Sequence, residues 1–230
     1  MDTGDALVGG GILGDETQGQ AIVEGMNLMG YDALVLGPNE LSLGPELLRE
    51  RTIEAHFPML SANVALADSD ELFSEPYALF DVGDYTLAVI GISRPSSDGE
   101  LGGFRVLGPK AALAEYVPKV SDQADTVIVL TNLTLRRGSK LAAQIPGIDL
   151  LISALPGQLP DDVSIVPETG TLVITAEQPL RRHTGRRVGR LQVTVSSDGS
   201  LTEPSWHTLP MDREIADDPE MQSLLEAYSR

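Results

Sequence analysis

The segment YDALVLGPNE places polar side chains directly after a short apolar run. The run Ala33–Leu36 ends at a Gly-Pro pair and is followed by Asn39 and Glu40. An α/β enzyme presents catalytic groups at the carboxyl ends of its strands, so this amide and carboxylate could hydrogen-bond a ligand. The same side chains could instead form a local turn or cap the helix that Pro45 opens. No strong nucleophile or base stands at this strand end.

A second polar group follows the apolar run Thr126–Thr131. Asn132 comes directly after the run, and Arg136 and Arg137 follow within five residues. Two guanidiniums after a strand end can bind a phosphate or carboxylate bidentately. The alternative is a solvated helix start whose charges are balanced by nearby acids.

Asp5 lies in the glycine-rich opening DTGDAL and is a candidate metal ligand or a turn residue. The following segment GGGILG (9–14) does not lie between a strand and a helix in a dinucleotide-binding pattern, so it predicts a mobile loop. The sequence contains no G-x-x-x-x-G-K-[ST] loop and no G-x-S-x-G elbow.

The remaining candidates are an arginine-rich segment and three scattered histidines. Residues 181–190 contain five arginines, which could form an anion or partner site or protect a strand edge from pairing. His56, His183 and His207 lack a second imidazole at ligand spacing, so we interpret them as structural or surface residues. They do not constitute a two-metal site.

Composition excludes several classes of protein. Sixteen basic against 34 acidic residues give a net charge of −18, which makes nucleic acid an unfavourable partner. No apolar run approaches the length that spans a bilayer. The absence of cysteine excludes disulfides, thiolate metal sites and a cysteine nucleophile. At 230 residues the chain suffices for one sizeable α/β domain or two small ones.

The elements that must position these side chains alternate at first between strands and helices. The periodicity predicts helices at 18–29, 45–55, 110–120 and 139–144, strands at 33–36, 57–64, 126–131 and 148–154, a hairpin at 76–93, and a loop at 94–108. Ile22, Val23, Met26 and Met29 share one face of the first helix. Four β runs follow, at 162–166, 171–176, 188–195 and 200–209, and Pro219 opens a final helix. This order predicts an α/β core completed by a second sheet.

Several of these stretches, taken in order, resemble the metallophosphoesterase (calcineurin-like) domain of the 5′-nucleotidase / 2′,3′-cyclic-nucleotide phosphodiesterase family. DTGDAL is similar to its D-x-G-D segment and GMNLMGYDALVLGPNE to its N-x-x-G-Y-D…G-N-H-E stretch, while FPMLSANV, LAVIGIS, IDLLISA, RRVGRLQVTVSSDG and IADDPEMQSLLEAY resemble later segments. The resemblance implies an α/β fold, a four-layer sandwich of two mixed β-sheets flanked by helices, and an extracytoplasmic location.

The resemblance also implies a domain plan. Residues 1–230 would form a single domain, with a loop at 1–17, an α/β part at 18–160, a mainly β part at 161–210 and a linker helix at 211–230. The nucleoside-binding C-terminal domain of the family would be absent. The family's first strand, with its D-x-H ligands, precedes the D-x-G-D segment, so the domain would be N-terminally truncated and an interior sheet edge left unpaired. We therefore expect native residues before Met1, or another segment in that place.

The family uses two divalent metals such as Mn, Zn or Mg, about 3.5–4 Å apart, and this sequence departs from its ligand pattern. Asp5 matches the metal-bridging aspartate. Pro38 stands at a ligand asparagine, Asn39 at the catalytic histidine and Asn132 at a ligand histidine. Where the family has G-H-x-H, residues 154–157 read Ala-Leu-Pro-Gly, with Leu155 at the first histidine. A degenerate metal site, with Asp5 as a residual ligand and no cofactor, is the resulting prediction.

Three hypotheses of function remain. The first is a catalytically inactive domain that serves as a binding or scaffold module, with a small anion or a protein as partner. The second is an active phosphoester hydrolase with a remodelled site that uses Asp5, Glu40 and residues upstream of this chain. The third is a small-anion binder that uses Asn132, Arg136 and Arg137.

Overall fold

The computed structural model describes residues 1–69, 71–95, 100–155, 163–175, 187–196, 199–211 and 214–228. The helices within these ranges are α1 (Ile12–Glu16), α2 (Gln20–Leu28), α3 (Pro38–Leu41), α4 (Pro45–Glu54), α5 (Pro109–Ser121), α6 (Leu135–Ala142) and α7 (Pro219–Tyr228). The strands are β1 (Leu34–Val35), β2 (Met59–Leu60), β3 (Val64–Leu66), β4 (Tyr77–Val82), β5 (Tyr85–Ile92), β6 (Glu100–Leu101), β7 (Phe104–Val106), β8 (Thr126–Thr134), β9 (Leu150–Leu155), β10 (Ser164–Ile165), β11 (Leu172–Thr175), β12 (Arg187–Val195) and β13 (Leu201–Pro210).

The main sheet has six strands in the order β10-β11-β9-β8-β5-β4. Its four central strands run parallel, and β10 and β4 pair antiparallel at the two edges. The side chains of β8 are buried along almost the whole strand. This agrees with its continuous apolar sequence, because a central parallel strand is covered on both faces.

Alternating side chains divide the molecule into four layers. On one face of the main sheet, Ile90 and Val129 pack against Leu113 of α5 and Ala142 of α6. On the other face, Val89 and Ile128 pack against the parallel β1–β2 sheet through Val35 and Leu60. The neighbouring side chains Leu34 and Met59 point away and pack on α2 and α4. The order is therefore helices, main sheet, second sheet, helices, as the resemblance implied.

Two smaller β units complete the fold. Strands β3, β7 and β6 form an antiparallel sheet, and β12 pairs with β13 as a ribbon. Leu191 and Trp206, which are opposite each other in the ribbon, pack against the apolar core between the main sheet and the β1–β2 sheet. The ribbon thus covers part of the main sheet that β1 and β2 leave open.

The structure confirms the hairpin at 76–93, the helices within 18–29, 45–55 and 110–120, and the strands within 126–131 and 148–154. The final helix is confirmed as α7, and Asp218 caps it, since its Oδ1 accepts from the N–H groups of Glu220 and Met221 at 2.9 and 3.0 Å. The expected apolar face of α2 is only partly buried. Val23 and Met26 are in the core, whereas Met29 is 58% exposed.

Three other predictions were wrong in part. The loop 94–108 contains β6 and β7, joined by Gly102-Gly103, both with positive φ (61° and 90°), a two-residue turn typical of hairpins. The single strand predicted at 57–64 is two strands, because the chain leaves β1 at Ser61, whose N–H donates to the carbonyl of Glu75 at 3.0 Å. The loop predicted at 1–17, including GGGILG, contains α1, and Gly14 within it is buried.

Candidate functional site

The ends of β1, β5 and β8 meet the N-terminal loop at a partly exposed junction, which we call the cleft. Gly37, just after β1, lies where these segments approach one another closely. A Cβ at this position would lie 2.5 Å from Asp5 Oδ1 and 2.7 Å from Asn132 Nδ2. Asp5 and Asn132, which are distant in sequence, are therefore neighbours in space.

The carboxylate of Asp5 is held on both oxygens. Gly4 and Asp5 have positive φ values of 87° and 62°, a conformation that glycine adopts freely and aspartate tolerates. This turn brings Asp5 Oδ1 to 2.8 Å from the backbone nitrogen of Asn39, which donates to it. Asp5 Oδ2 lies 3.5 Å from Nη2 of Arg94. The Asp5 side chain is 24% exposed, so it lines the cleft, but both oxygens face donors of the protein itself.

Asn39 directs its side-chain amide towards the N-terminal loop. Its Nδ2 donates to the carbonyl of Val8 at 3.0 Å, and a Cβ on Gly9 would lie 2.7 Å from the same nitrogen. Asn39 thus ties the loop to the start of α3. A ligand contact by this side chain stays a prediction.

Asn132 is fully buried and joins three strand ends. Its Oδ1 accepts from the backbone N–H of Arg94 at 2.6 Å, after β5, and its Nδ2 donates to the carbonyl of Leu36 at 3.3 Å, after β1. Because buried polar groups are stabilised by such bonds, this geometry gives Asn132 a structural role. Its predicted contact with an anion stays a prediction.

Glu40 is fully buried beside the cleft and accepts hydrogen bonds on both carboxylate oxygens. Oε1 accepts from the backbone N–H groups of Ala6 and Leu7 at 2.7 and 2.9 Å, and Oε2 from those of Asp5 and Gly37, both at 2.8 Å. Burial raises the pKa of Glu40 to about 7, while the backbone hydrogen bonds oppose that rise. Glu40 shapes the N-terminal loop around its carboxyl group and does not face the cleft.

Arg136 and Arg137 lie in the first turn of α6, which follows β8 directly. Both are exposed, and neither makes a side-chain ion pair with another described residue. The backbone N–H of Arg137 donates to the Thr134 hydroxyl, which caps the helix, at 3.4 Å. The two guanidiniums are thus free to meet solvent near the strand end that carries Asn132.

Several candidates play no part in the cleft or lie outside the described residues. His56 is exposed at the end of α4, and His207 lies 2.9 Å from Ser205 Oγ on the β12–β13 ribbon. His183, most of the arginine-rich segment, and residues 156–157 of the Ala-Leu-Pro-Gly segment are outside the described residues, as is the side chain of Leu155.

Comparison with known proteins shows what this chain is similar to. The 5′-nucleotidase precursor of Thermus thermophilus superposes with a TM-score of 0.85 at 26% identity, covering 99% of this chain and 48% of that one. The trifunctional nucleotide phosphoesterase YfkN of Bacillus subtilis is 26% identical over 269 residues, covering 99% of this chain and 18% of that protein. Over nearly its whole length the chain is thus similar to phosphoesterases of the 5′-nucleotidase type.

A further relative and a further solved structure extend the likeness. Protein UshA of Yersinia enterocolitica is 25% identical, covering 90% of this chain and 46% of that protein. The Thermus thermophilus sulfate thiohydrolase SoxB superposes with a TM-score of 0.85 at 25% identity, covering 99% of this chain and 41% of that one. The domain spans less than half the length of each of these relatives. No family model matches the chain.

The described residues do not offer a set of ligand side chains that fits a pair of divalent cations. Nowhere among them do three or more His, Cys, Asp or Glu side chains converge on one point. Asp5 faces an N–H and a guanidinium, and the Asn132 oxygen accepts a backbone N–H. A divalent cation at Asp5 would also lie beside the positive charge of Arg94, which repels it.

Arg94 is the cleft residue that the sequence did not single out. It was placed in the loop 94–108, and its only local mark is a cation directly after an apolar strand and before a proline. Its carboxylate partner is 89 residues away in the sequence. Such a pairing becomes visible only when the fold brings β5 and the N-terminal loop together.

Proposed function

We propose that this domain does not hydrolyse phosphoesters and serves as a binding or scaffold module. The observation that supports the proposal most directly is the engagement of Asp5, whose carboxylate faces the Asn39 N–H and the Arg94 guanidinium. Two-metal hydrolysis needs metal ions to generate hydroxide and to neutralise the phosphate oxygens. A guanidinium is a permanent cation and supplies only the charge. The extracytoplasmic location that the resemblance implies is kept as part of this proposal.

The alternative of an active hydrolase with a remodelled site has weaker support. It assigns a chemical role to Glu40, yet this carboxyl group is fully buried and its oxygens accept four backbone N–H groups. A general base must reach the proton that it removes. Glu40 could do so only after the N-terminal loop had opened.

Metal content and hydrolysis test the proposal together. We expect the purified domain, after incubation with Mn²⁺, Zn²⁺ or Mg²⁺, to retain well below one metal ion per chain by mass spectrometry. We also expect it to hydrolyse nitrophenyl phosphate and nucleotides no faster than buffer. The Vibrio cholerae 5′-nucleotidase, 29% identical over 140 residues, is the positive control. Near-stoichiometric metal together with hydrolysis that a chelator abolishes would refute the proposal.

A small anion is the ligand class best supported for such a module. Arg136 and Arg137 are exposed and unpaired among the described residues of a chain with net charge −18. They lie in the first turn of α6, where the first backbone N–H groups of the helix also favour negative charge. The Arg94–Asn132 hydrogen bond links this helix start to the cleft.

Thermal unfolding in the presence of oxyanions tests this candidate. Phosphate at a concentration about 100-fold above its dissociation constant should stabilise the domain by about 2.7 kcal/mol by mass action. The double variant Arg136→Ala/Arg137→Ala should lose that shift, whereas chloride at equal ionic strength should produce none in either protein. A phosphate-induced shift that survives in the double variant would place the anion elsewhere, and its complete absence in the wild type would exclude this candidate.

A further inference from the structure

We infer that Arg94 is a built-in countercharge for Asp5, a covalently attached cation in the position that the family resemblance assigns to a metal ion. In this view the loops of the cleft are held together without a bound ion. The inference deepens the proposed function and rests on it. It adds a role for one residue that the sequence analysis did not single out.

The backbone fixes Arg94 firmly at the end of β5. The preceding residue, Ser93, is fully buried, its hydroxyl donates to the carbonyl of Leu36 at 2.6 Å, and its N–H donates to Asn63 Oδ1 at 2.8 Å. Pro95 follows and restricts Arg94 to extended conformations. The Arg94 N–H donates to the buried oxygen of Asn132 at 2.6 Å. These contacts fix the backbone of Arg94, so its side chain extends towards Asp5 from a defined position.

The charge of the site calls for a cation. Asp5 and Glu40 lie close together, since the Asp5 backbone N–H donates to Glu40 Oε2 at 2.8 Å. The Asp5 charge also raises the pKa of Glu40, after the larger effect of burial. Arg94 Nη2 lies 3.5 Å from Asp5 Oδ2, and the Arg94 side chain is one-third exposed. A positive charge at this distance offsets the repulsion between two carboxyl groups that the chain holds together.

A metal ion and Arg94 differ in whether the cation can be removed from the site. A bound metal can be removed with a chelator, and the loops it holds then loosen. A guanidinium cannot be removed, so the cleft should be insensitive to chelators. The Asp5–Arg94 pair should therefore contribute to stability as a pair, in the presence and in the absence of divalent cations.

Thermal unfolding of the full chain tests the inference with the variants Arg94→Met, Arg94→Lys, Asp5→Asn and the double variant Asp5→Asn/Arg94→Met. Arg94→Met should lower the Tm by about 2–4 °C, the shift expected for a partly exposed pair in a chain of this size. Arg94→Lys, which keeps the charge, should recover most of that loss. Asp5→Asn keeps the oxygen that accepts the Asn39 N–H, and the double variant should melt no lower than the less stable single variant. Arg190→Met, at an exposed position on β12, is the control and should leave the Tm unchanged.

The outcomes separate this inference from the proposed function. Equal losses in Arg94→Met and Arg94→Lys, or additive losses in the double variant, would overturn the countercharge role while leaving the inactive domain intact. A wild-type Tm that falls on adding EDTA and rises with Mn²⁺ would instead show that the site holds metal, and would overturn both. Should Asp5→Asn fail to fold, the comparison of Arg94→Met with Arg94→Lys still decides whether the positive charge at this position stabilises the domain.

Discussion

Replacing Gly91 with alanine is expected to lower the free energy of unfolding by about 3–5 kcal/mol, or to prevent folding. Gly91 lies near the end of β5, where the main sheet meets β2. A Cβ at this position would lie 2.5 Å from the carbonyl oxygen of Leu60 and 2.6 Å from its carbonyl carbon. The obstructing atoms are backbone, so no change of rotamer can relieve the overlap.

Hydrogen bonds on both sides hold the backbone of Gly91 in place, so β5 cannot easily move away from β2. The Ala62 N–H donates to the carbonyl of Gly91 at 2.8 Å, and the Gly91 N–H donates to the carbonyl of Pro76 at 3.2 Å. Urea denaturation measures the effect, with Gly108→Ala as the matched control. Gly108 has nothing within 4 Å of its would-be Cβ, so this variant should stay within about 1 kcal/mol of the wild type. A Gly91→Ala protein as stable as Gly108→Ala would mean that the two sheets do not approach closely at this point.

The parts of the fold that the sequence predicted are those whose pattern is local. The strand within 126–131 and the hairpin 76–93 have apolar runs long enough to identify them, and the turn at Gly83-Asp84 is equally local. The short elements β6, β7 and α1 were missed because two to five residues carry little periodicity. The break at Ser61 was missed because it depends on hydrogen bonds from Ser61 to Glu75 and from Ala62 to Gly91, which lie in distant segments.

The same distinction applies to the candidate site. Asp5, Asn39 and Asn132 were found through the order of the motifs, and the structure brings all three to one cleft. What the motifs could not supply was the direction of each polar group. Asn132 has its amide bonded to backbone on both sides, and Asp5 pairs with a residue from a loop that carried no motif. Residue type at a strand end indicates where a site lies, whereas its chemistry depends on partners that only the fold assembles.

Glu40 is the residue of this region whose replacement should have the largest effect. Glu40→Ala is expected to destabilise the domain by about 4 kcal/mol, because four backbone N–H groups lose their acceptor and each buried, unsatisfied donor costs about 1–3 kcal/mol before relaxation. Glu40→Gln should cost less, since its amide oxygen still accepts two of the bonds, but its NH₂ group then faces the other two donors. Urea denaturation at pH ~5.5 measures both variants, and Glu46→Gln, in the exposed first turn of α4, is the control.

The pH dependence of stability distinguishes an ionisable buried carboxyl group from a purely structural hydrogen-bond acceptor. Burial raises the Glu40 pKa from its ordinary value of 4.5 to about 7, against the opposing effect of the backbone hydrogen bonds. Between these two values the folded state keeps a proton that the unfolded chain has lost, so the contribution of Glu40 to stability falls as pH rises. The expected fall is about 2 kcal/mol between pH 5 and pH 7.

Glu40→Gln removes this titration and retains the other acidic residues. The difference in unfolding free energy between wild type and Glu40→Gln should therefore shrink as pH rises from about 5 to about 7, whereas the difference for Glu46→Gln should stay constant. A difference that is flat with pH would mean that the four N–H donors keep Glu40 ionised throughout, outweighing its burial. In that event the carboxylate would be a fixed negative charge next to Asp5, and the need for a compensating cation such as Arg94 would be greater still.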